Sequence, residues 1–371
     1  MSEPAVTPEI RPQRQWVTLR NASMDVWGGA GILGHAAHDL RALVGRPHAC
    51  ALVREPGEDA ELVEEFCRDL SDQGFDVRAL EMPAGGCDLA RVEALDVLLA
   101  ERDITADDLV VAVGGLETLS VASFACASWC GGVSLAEVPT DVVSALVAGP
   151  SPRALDLPGL PRMVSHDGSA RFSVIDLELI GADPAEERTR LAFALMVASA
   201  MADSAKAFER LWDGADAVAA GEPIALLTQL MDTVKSRGRV VSSNAVATRQ
   251  SISYGQDFAR ALRAVTSGAA PASAALADGL RVAARLAVAQ GALSIDDMLA
   301  QDELLERLGV GTTEVPVDAA QLVAALRAER FRRTNRFMMA IPRAIGRVRP
   351  ATVSDEELVE HLGAWCAARP A

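Results

Sequence analysis

The sequence lacks any apolar run long enough to cross a membrane, and it has no excess of positive charge. None of its apolar stretches reaches the ~18 residues that a membrane-spanning helix needs. The first residues, MSEPAVTPEIRPQRQ, are polar and proline-rich and contain no hydrophobic signal segment. The formal charge of −16 disfavours nucleic acid and anionic membranes as partners. We therefore expect a cytoplasmic protein that binds neither nucleic acid nor membrane.

Aromatic residues, cysteine and histidine are also scarce. Aromatic residues make up 4% of the 371 residues, and Tyr254 is the single tyrosine, so the core must be built from Ala, Val and Leu. The six cysteines have no C-x-x-C spacing, and Cys126 and Cys130 are better explained as buried thiols than as metal or redox groups. None of the five histidines lies between residues 167 and 360. Residues 167–360 therefore cannot supply imidazole ligands to a metal ion.

The first half of the sequence alternates short apolar strands with helices of ordinary length. After a lead-in over residues 1–13, which we expect to be disordered, this alternation predicts a doubly wound, Rossmann-like parallel sheet over residues 14–180. The stretch 149–162 carries four prolines and is predicted to be a loop. The last strand, near Arg171–Leu177, is predicted to lie at an edge of the sheet or to form a hairpin.

The second half, residues 181–371, is predicted to be a helical domain. It opens with an Ala- and Met-rich pattern over 184–208 that predicts one long helix, and the run 337–341 is predicted to be a core strand within it. A cleft between an α/β domain and a helical domain is the expected binding place for a small molecule.

A glycine pair follows the strand Leu109–Val113 and precedes a predicted helix at 120–127. At the carboxyl end of a parallel strand, backbone N–H groups at such a junction face an anion. Gly114 and Gly115 are therefore the candidate anion- or cofactor-binding residues, although a glycine pair alone is a weak motif.

Several phrases in their order and spacing make the chain resemble the 3-dehydroquinate synthases and related sugar phosphate cyclases. They cover nearly the whole chain: LVVAVGG at 109–115, GGVSLAEVPTDVVSALV at 131–147, FSVIDLELI at 172–180, MADSAKAFERL at 201–211, YGQDFARAL at 254–262 and DGLRVAARLA at 278–287. The resemblance implies the two-domain fold already predicted. It also implies a chemistry in which bound NAD oxidises a hydroxyl transiently, a zinc or cobalt ion polarises the carbonyl, phosphate is eliminated and an aldol step closes a ring.

The residues that this resemblance assigns to the metal are absent. The metal-binding glutamate of the family falls on Ala194 and the lysine one turn later on Val197. The histidines of the family fall on Gln256, Arg260 and about Ala272. A divalent ion in an open catalytic site needs at least three protein ligands. We therefore expect no metal.

The nicotinamide site also departs from the family. The glycine-rich phrase reads GGLETLS at 114–120, so that Leu116 and Leu119 replace glycines and are expected to crowd a pyrophosphate. The phrase that holds an acidic residue and a lysine in the family reads PAGGCDL at 83–89, and a further lysine falls on Arg153. We expect no cofactor, with NAD binding as the alternative.

Polar residues nevertheless remain where the resemblance places the substrate. Each of them has the alternative of an ordinary solvated or salt-bridged side chain. The candidate catalytic residues are Arg249, Tyr254, Gln256, Asp257 and Arg260, and the candidate substrate-binding residues are Arg153, Arg237, Asp141 and Ser144. Gln256 and Arg260 share one helical face, and Asp141 is equally well explained as a helix N-cap.

Residues 327–349 hold eight arginines and one glutamate in an otherwise acidic protein. Arginine suits bidentate capture of carboxylate or phosphate. The alternative is a basic face that pairs with the acidic body of the protein or with a second subunit.

Three functions are compatible with these residues. The first is a metal-free and NAD-free enzyme of specialised, natural-product biosynthesis that catalyses a cyclisation, elimination or aldol-type step on a small molecule. The second is a non-catalytic relative that binds a ligand or a partner enzyme. The third is a sugar phosphate cyclase that uses NAD and a metal. We expect a homodimer in each case.

Overall fold

The computed structural model describes residues 10–20, 22–45, 49–58, 60–168 and 170–369. Most of the predicted lead-in, residues 1–9, lies outside this range, as do His48 and Asp59, where the sequence predicts a strand over 48–53 and a helix over 59–73 to begin. Of the remaining lead-in, Gln13 already belongs to the first strand.

A seven-stranded sheet with the order β1-β2-β9-β6-β5-β3-β4 forms the first half. All neighbours are parallel except β1 and β2, which pair antiparallel at one edge. The strands of this sheet are β1 Gln13–Thr18, β2 Ser23–Gly29, β3 Ala49–Arg54, β4 Asp76–Glu81, β5 Leu109–Gly114, β6 Ser134–Pro139 and β9 Phe172–Asp176. This arrangement confirms the predicted Rossmann-like sheet.

Helices flank the sheet and then make up most of the second half. Those in the first half are α1 Leu33–Leu43, α2 Ala60–Asp72, α3 Leu89–Glu101, α4 Leu116–Ser128, α5 Val142–Val147 and α6 Leu177–Ile180. Those in the second half are α7 Glu187–Asp203, α8 Ala205–Ala219, α9 Pro223–Ser242, α10 Val246–Gln250, α11 Gln256–Val265, α12 Ala272–Ala289, α13 Ile295–Arg307, α14 Ala319–Phe331 and α15 Asp355–Ala367. No helix of the described residues is both long and apolar enough to cross a membrane.

Two small hairpins complete the fold, and one of them corrects a prediction. The stretch 149–162 is not a loop, because it contains β7 Arg153–Leu157 and the start of β8 Leu160–His166, and these two strands pair antiparallel. Prolines are tolerated there since a two-stranded hairpin leaves the outer N–H positions of both strands without a ladder partner. The second hairpin joins β10 Met338–Ala344 to β11 Arg347–Thr352, which confirms the strand predicted at 337–341.

The position of β9 and the break between α7 and α8 also differ from prediction. Strand β9 lies inside the sheet between β2 and β6, and all five of its residues are buried. The predicted single helix over 184–208 is two helices, because Ser204 is extended and caps α8 by accepting a hydrogen bond from the Ala207 N–H.

The two halves pack closely through α9 and β1. A β-carbon on Gly238 of α9 would lie 2.2 Å from the Val17 side chain of β1, so only glycine permits this approach. The contact fixes α9, and with it Arg237, against the sheet.

Candidate functional site

A continuous cleft lies between the carboxyl ends of the sheet strands and the helices of the second half. It consists of two chambers of about 840 and 570 Å³. We call them the sheet-side chamber, lined among others by Glu55, Gly115 and Asp141, and the helix-side chamber, lined among others by Arg237 and Gln256. Leu116, Arg162 and Arg263 line both chambers, so that the two open into each other.

Strand ends build the sheet-side chamber, as the parallel topology requires. Glu55 follows β3, Gly115 follows β5, and Thr140 and Asp141 follow β6. Five carboxylates line this chamber: Glu55, Glu58, Glu117, Asp141 and Asp156. Cys87 also lines it, and burial together with the nearby Glu117 and Asp156 raises the pKa of its thiol to about 11. Cys87 is therefore a neutral thiol at physiological pH.

The backbone of the glycine turn has the form of an anion site, but its side chains oppose one. Helix α4 begins directly after Gly115, and a β-carbon on Gly114 would lie 2.9 Å from Thr118. However, the Oδ2 atom of Asp141 lies 3.3 Å from the place that a β-carbon of Gly115 would take, and Glu117 stands in the first turn of the helix. These negative charges at a helix N-terminus compete with a pyrophosphate. The residues present do not fit the dinucleotide that the resemblance implies.

The two leucines of this turn do not behave alike. Leu116 faces the cleft as expected, whereas Leu119 is fully buried in the core and cannot crowd a ligand. The expectation for Leu119 is therefore corrected, because the helix starts four residues earlier than predicted and turns this side chain inward. The obstacle to a pyrophosphate is the Asp141 carboxylate rather than a second leucine.

Asp141 and Ser144 form the N-terminal cap of α5. The Oδ1 atom of Asp141 accepts a hydrogen bond from the Ser144 N–H at 2.9 Å, and the Ser144 Oγ accepts one from the Asp141 N–H at 3.2 Å. Ser144 is buried and lines neither chamber, whereas Asp141 also points its second oxygen towards Arg188 at 3.5 Å. The capping alternative thus accounts for Ser144 in full and for Asp141 in part.

Arg237 on α9 is the buried cation of the helix-side chamber. It is 3% exposed, and its guanidinium donates to the hydroxyl of Ser151 at 2.7 and 3.1 Å and to that of Ser199 at 3.1 Å. No carboxylate pairs with it within the described part of the chain. Burial, and then the nearby positive charge of Arg162, lowers the pKa of Arg237 to about 10. The group remains charged at neutral pH and has no counter-ion.

A network of ion pairs forms the other wall of this chamber. Arg260 pairs with both Asp257 and Glu329, and Glu329 also accepts from Arg333 at 2.7 Å. Arg333 in turn donates to the carbonyl of Pro161 in the β7–β8 hairpin at 2.9 Å. The network therefore ties α11 and α14 to the hairpin that overhangs the cleft.

The positions that the resemblance assigns to metal ligands do come together here, but the side chains at these positions are not metal ligands. Gln256 and Ala272 line the helix-side chamber, and Ala194 is buried beside it on α7 between the lining residues Leu191 and Leu195. Across the described residues no three His, Cys, Asp or Glu side chains come together as a metal site. The amide of Gln256 is occupied by the carbonyl of Ile252 at 3.1 Å. The donor set does not fit zinc or cobalt.

Three of the predicted catalytic residues lie outside both chambers. Tyr254 is fully buried and donates to Gln301 at 2.5 Å, and burial raises the pKa of its hydroxyl. Arg249 donates to the carbonyls of Ser243 and Asn244, where it closes the end of α9. Asp257 is buried behind Arg260 and also accepts from Arg330 at 2.9 Å. The expectation that these three side chains face the cleft is corrected, since each makes its hydrogen bonds inside the helical half.

Arg153 is not a cleft residue either. It is 1% exposed and forms an ion pair with Glu137, which is 0% exposed, beneath the sheet. Its Nε and Nη1 atoms have no hydrogen-bond partner among the described residues. Burial lowers the pKa of Arg153 and raises that of Glu137. This pair anchors β7 to β6 and takes Arg153 out of reach of a ligand.

Sequence reasoning missed three charged residues that line the cleft. Arg162 stands in the stretch predicted as a loop, and its backbone has a φ of 57° while its N–H donates to Asp156 at 2.7 Å. Arg263 is about one turn beyond Arg260 and two turns beyond Gln256 on α11, so helical spacing was a usable signal. Glu329, 8% exposed, is the one acidic residue in the arginine-rich segment, which was itself a signal.

The fold and the cleft agree with comparisons to known proteins. No family model matches the chain. Among curated relatives, the 3-dehydroquinate synthase of Saccharopolyspora erythraea is 29% identical over 323 residues, covering 84% of each chain. That of Prochlorococcus marinus is 24% identical over 365 residues, covering 94% of this chain and 96% of the relative.

Solved structures define the class to which the fold belongs. A 2-deoxy-scyllo-inosose synthase complexed with carbaglucose-6-phosphate, NAD⁺ and Co²⁺ superposes with a TM-score of 0.80 at 17% identity, covering 94% of this chain and 99% of the other. A 2-epi-5-epi-valiolone synthase from Streptomyces hygroscopicus with NAD⁺ and Zn²⁺ bound gives a TM-score of 0.77 at 17% identity, with 94% and 98% covered. The fold is that of the dehydroquinate synthase-like two-domain proteins. The chain is thus similar, in sequence to curated 3-dehydroquinate synthases and in fold to sugar phosphate cyclases, over most of its length.

Proposed function

We propose that this chain is a dehydroquinate synthase-like enzyme that acts on a small molecule in the cleft without a metal ion and without NAD. The reaction is a cyclisation, an elimination or an aldol-type carbon–carbon bond formation. The observation that carries the proposal is Arg237, a buried guanidinium without a counter-ion that faces the chamber where the metal-ligand positions converge. A fixed positive charge in a water-poor site stabilises the negative charge that develops on an enolate or alkoxide oxygen.

In this proposal Arg237 and Arg162 bind and polarise the oxygen of the reacting carbonyl. Glu329 takes the proton from the adjacent carbon and later returns it to the product or to the leaving group, because it is the carboxylate that lines the helix-side chamber. Arg260 and Arg333 orient Glu329 through their ion pairs. The bonding electrons left by the proton form the new carbon–carbon bond or expel the leaving group. No step needs an oxidant.

The candidate roles of the other residues follow from their positions. Gln256 contacts the substrate from the same helical face as Arg260, and Asp141 contacts it from the sheet side. Tyr254, Asp257 and Arg249 support the helices that carry these groups. A place in specialised biosynthesis, and a homodimeric assembly, are further parts of the proposal.

Metabolite profiling with a matched variant tests this function. The purified chain is incubated with a cell extract containing EDTA and stripped of dinucleotides, and the metabolites are compared by mass spectrometry with a Glu329→Gln incubation. We expect one or more anionic metabolites to be consumed by the wild type alone. Consumption that requires added zinc, cobalt or NAD would overturn the metal- and NAD-free reaction. No difference between the two proteins would favour the non-catalytic alternative.

A further inference from the structure

The walls of the helix-side chamber are apolar where a sugar would need polar contacts. The aliphatic side chains that line it come from α4, α5, α7, the turn before α11, and α12: Leu116, Val143, Leu191, Leu195, Ile252 and Leu276. Such a surface stabilises a hydrocarbon or aromatic body by removing it from water.

Four arginines without a carboxylate partner among the described residues line the same chamber. Arg162, Arg237, Arg263 and Arg332 all line it, and none of them forms an ion pair with a carboxylate in the described ranges. The buried charge of Arg237 is held by serine hydroxyls alone. The positive charge of Arg162 acts on that of Arg237, and an anion bound beside both would relieve this repulsion.

Hydrogen-bond acceptors are in short supply. Guanidinium groups donate hydrogen bonds and accept none, whereas every sugar hydroxyl must also donate one. The Oε1 atom of Glu329 accepts from both Arg260 and Arg333, and the Ser151 hydroxyl accepts from Arg237. Acceptors on these walls are few beside the several hydroxyls of a sugar, and a buried hydroxyl without an acceptor is costly.

We propose that the helix-side chamber selects an anion with an apolar carbon body, bearing carboxylate or phosphate groups, over a polyhydroxylated sugar phosphate. The inference rests on the proposed function for its assumption that this chamber holds the substrate. It goes further in naming the chemical class: the arginines bind the anionic group, and the aliphatic wall contacts the body.

Titration calorimetry with charge-matched probes tests the selection. Phenyl phosphate and glucose 6-phosphate carry the same anionic group on bodies of opposite polarity, inorganic phosphate measures the anion alone, and phthalate replaces phosphate by carboxylates. We expect phenyl phosphate to bind at least about tenfold more tightly than glucose 6-phosphate and inorganic phosphate. Equal or tighter binding of glucose 6-phosphate would overturn the inference, as would inorganic phosphate that binds as tightly as phenyl phosphate. Phthalate that binds more tightly than phenyl phosphate would assign the natural group as carboxylate.

Substitutions test whether the probes bind in the helix-side chamber. Arg237→Met should abolish binding of phenyl phosphate, whereas Arg239→Met, on the same helix but exposed and paired with Asp203, should leave it unchanged. Leu276→Asn places a polar group in the wall and should narrow the preference for phenyl phosphate over glucose 6-phosphate. Circular dichroism confirms folding. Binding of phenyl phosphate that survives Arg237→Met would place the anion elsewhere and contradict the inference. The proposed metal- and NAD-free reaction would not be contradicted by that result, because metabolite profiling tests it separately.

Discussion

Replacing Arg237 by methionine should stabilise the unliganded protein while abolishing anion binding. A guanidinium ordinarily has a pKa above 12, and burial lowers that of Arg237 to about 10. At ~1.4 kcal/mol for each pH unit, the buried charge costs roughly 3 kcal/mol. Methionine fills similar space without charge, but the buried Ser151 hydroxyl loses its partner at a cost of ~1–2 kcal/mol. The net expectation is a gain of about 1–2 kcal/mol.

Thermal unfolding followed by circular dichroism measures this gain. A rise of the order of 2–4 °C in Tm is expected for Arg237→Met. The control Arg239→Met should not raise the Tm, because it removes the partner of Asp203, whose side chain is 6% exposed. Phenyl phosphate should raise the Tm of the wild type and leave that of Arg237→Met unchanged. A Tm several degrees lower for Arg237→Met, with the ligand response retained, would refute the view that Arg237 is an uncompensated charge kept for binding.

The pH dependence of the unfolding free energy gives a second measurement on Arg237. Between pH 7 and 9 Arg237 is protonated in both the folded and the unfolded chain, so the stability difference between wild type and Arg237→Met should be constant. Above its folded pKa of about 10, the folded chain releases the proton while the unfolded chain keeps it. The wild type therefore gains stability relative to the variant as the pH rises through 10, and the difference should shrink. A difference that grows above pH 10 would have the wrong sign.

Three further substitutions distinguish residues that act in the cleft from residues that support the fold around it. Glu329→Gln should lower kcat about 10²-fold or more with little change in KM, because it removes the proton carrier. Glu306→Gln, at an exposed position, should leave kcat unchanged. Equal effects of the two substitutions on kcat would contradict the role of Glu329. Tyr254→Phe should leave turnover unchanged but destabilise the fold by about 1–2 kcal/mol, measured by denaturant titration, since a buried hydrogen bond is lost. Arg153→Met should cost about 3–5 kcal/mol because it strands a buried Glu137, and the double variant with Glu137→Leu should recover most of that loss; a mild single variant would argue against a tight pair.

Local sequence patterns predicted most of the sheet. The alternation of apolar strands and helices placed β3 to β6 and their helices, because a parallel sheet buries continuous apolar runs that are visible in the sequence. The same rule could not place β9, since a buried strand reads alike at the centre and near an edge of a sheet. The four prolines of 149–162 concealed a hairpin whose pairing depends on tertiary contacts.

The candidate site was predictable only in part. Gln256, Arg260 and Arg237 do line the cleft, and the resemblance located them. Tyr254 and Arg153 do not, because a polar side chain in a helix or strand can be buried when a distant partner such as Gln301 or Glu137 satisfies it. Those partners are 47 and 16 residues away, and no local pattern reveals them.

The metal and dinucleotide content of the purified protein tests the central claim most directly. Native mass spectrometry and elemental analysis of the chain, purified without chelators, report bound metal and dinucleotide per 39.0-kDa polypeptide. Because the positions of the metal ligands hold Gln256, Ala272 and Ala194, and because Asp141 lies over the glycine turn, we expect neither zinc, cobalt nor NAD in stoichiometric amount. One metal ion or one NAD for each chain would contradict the account.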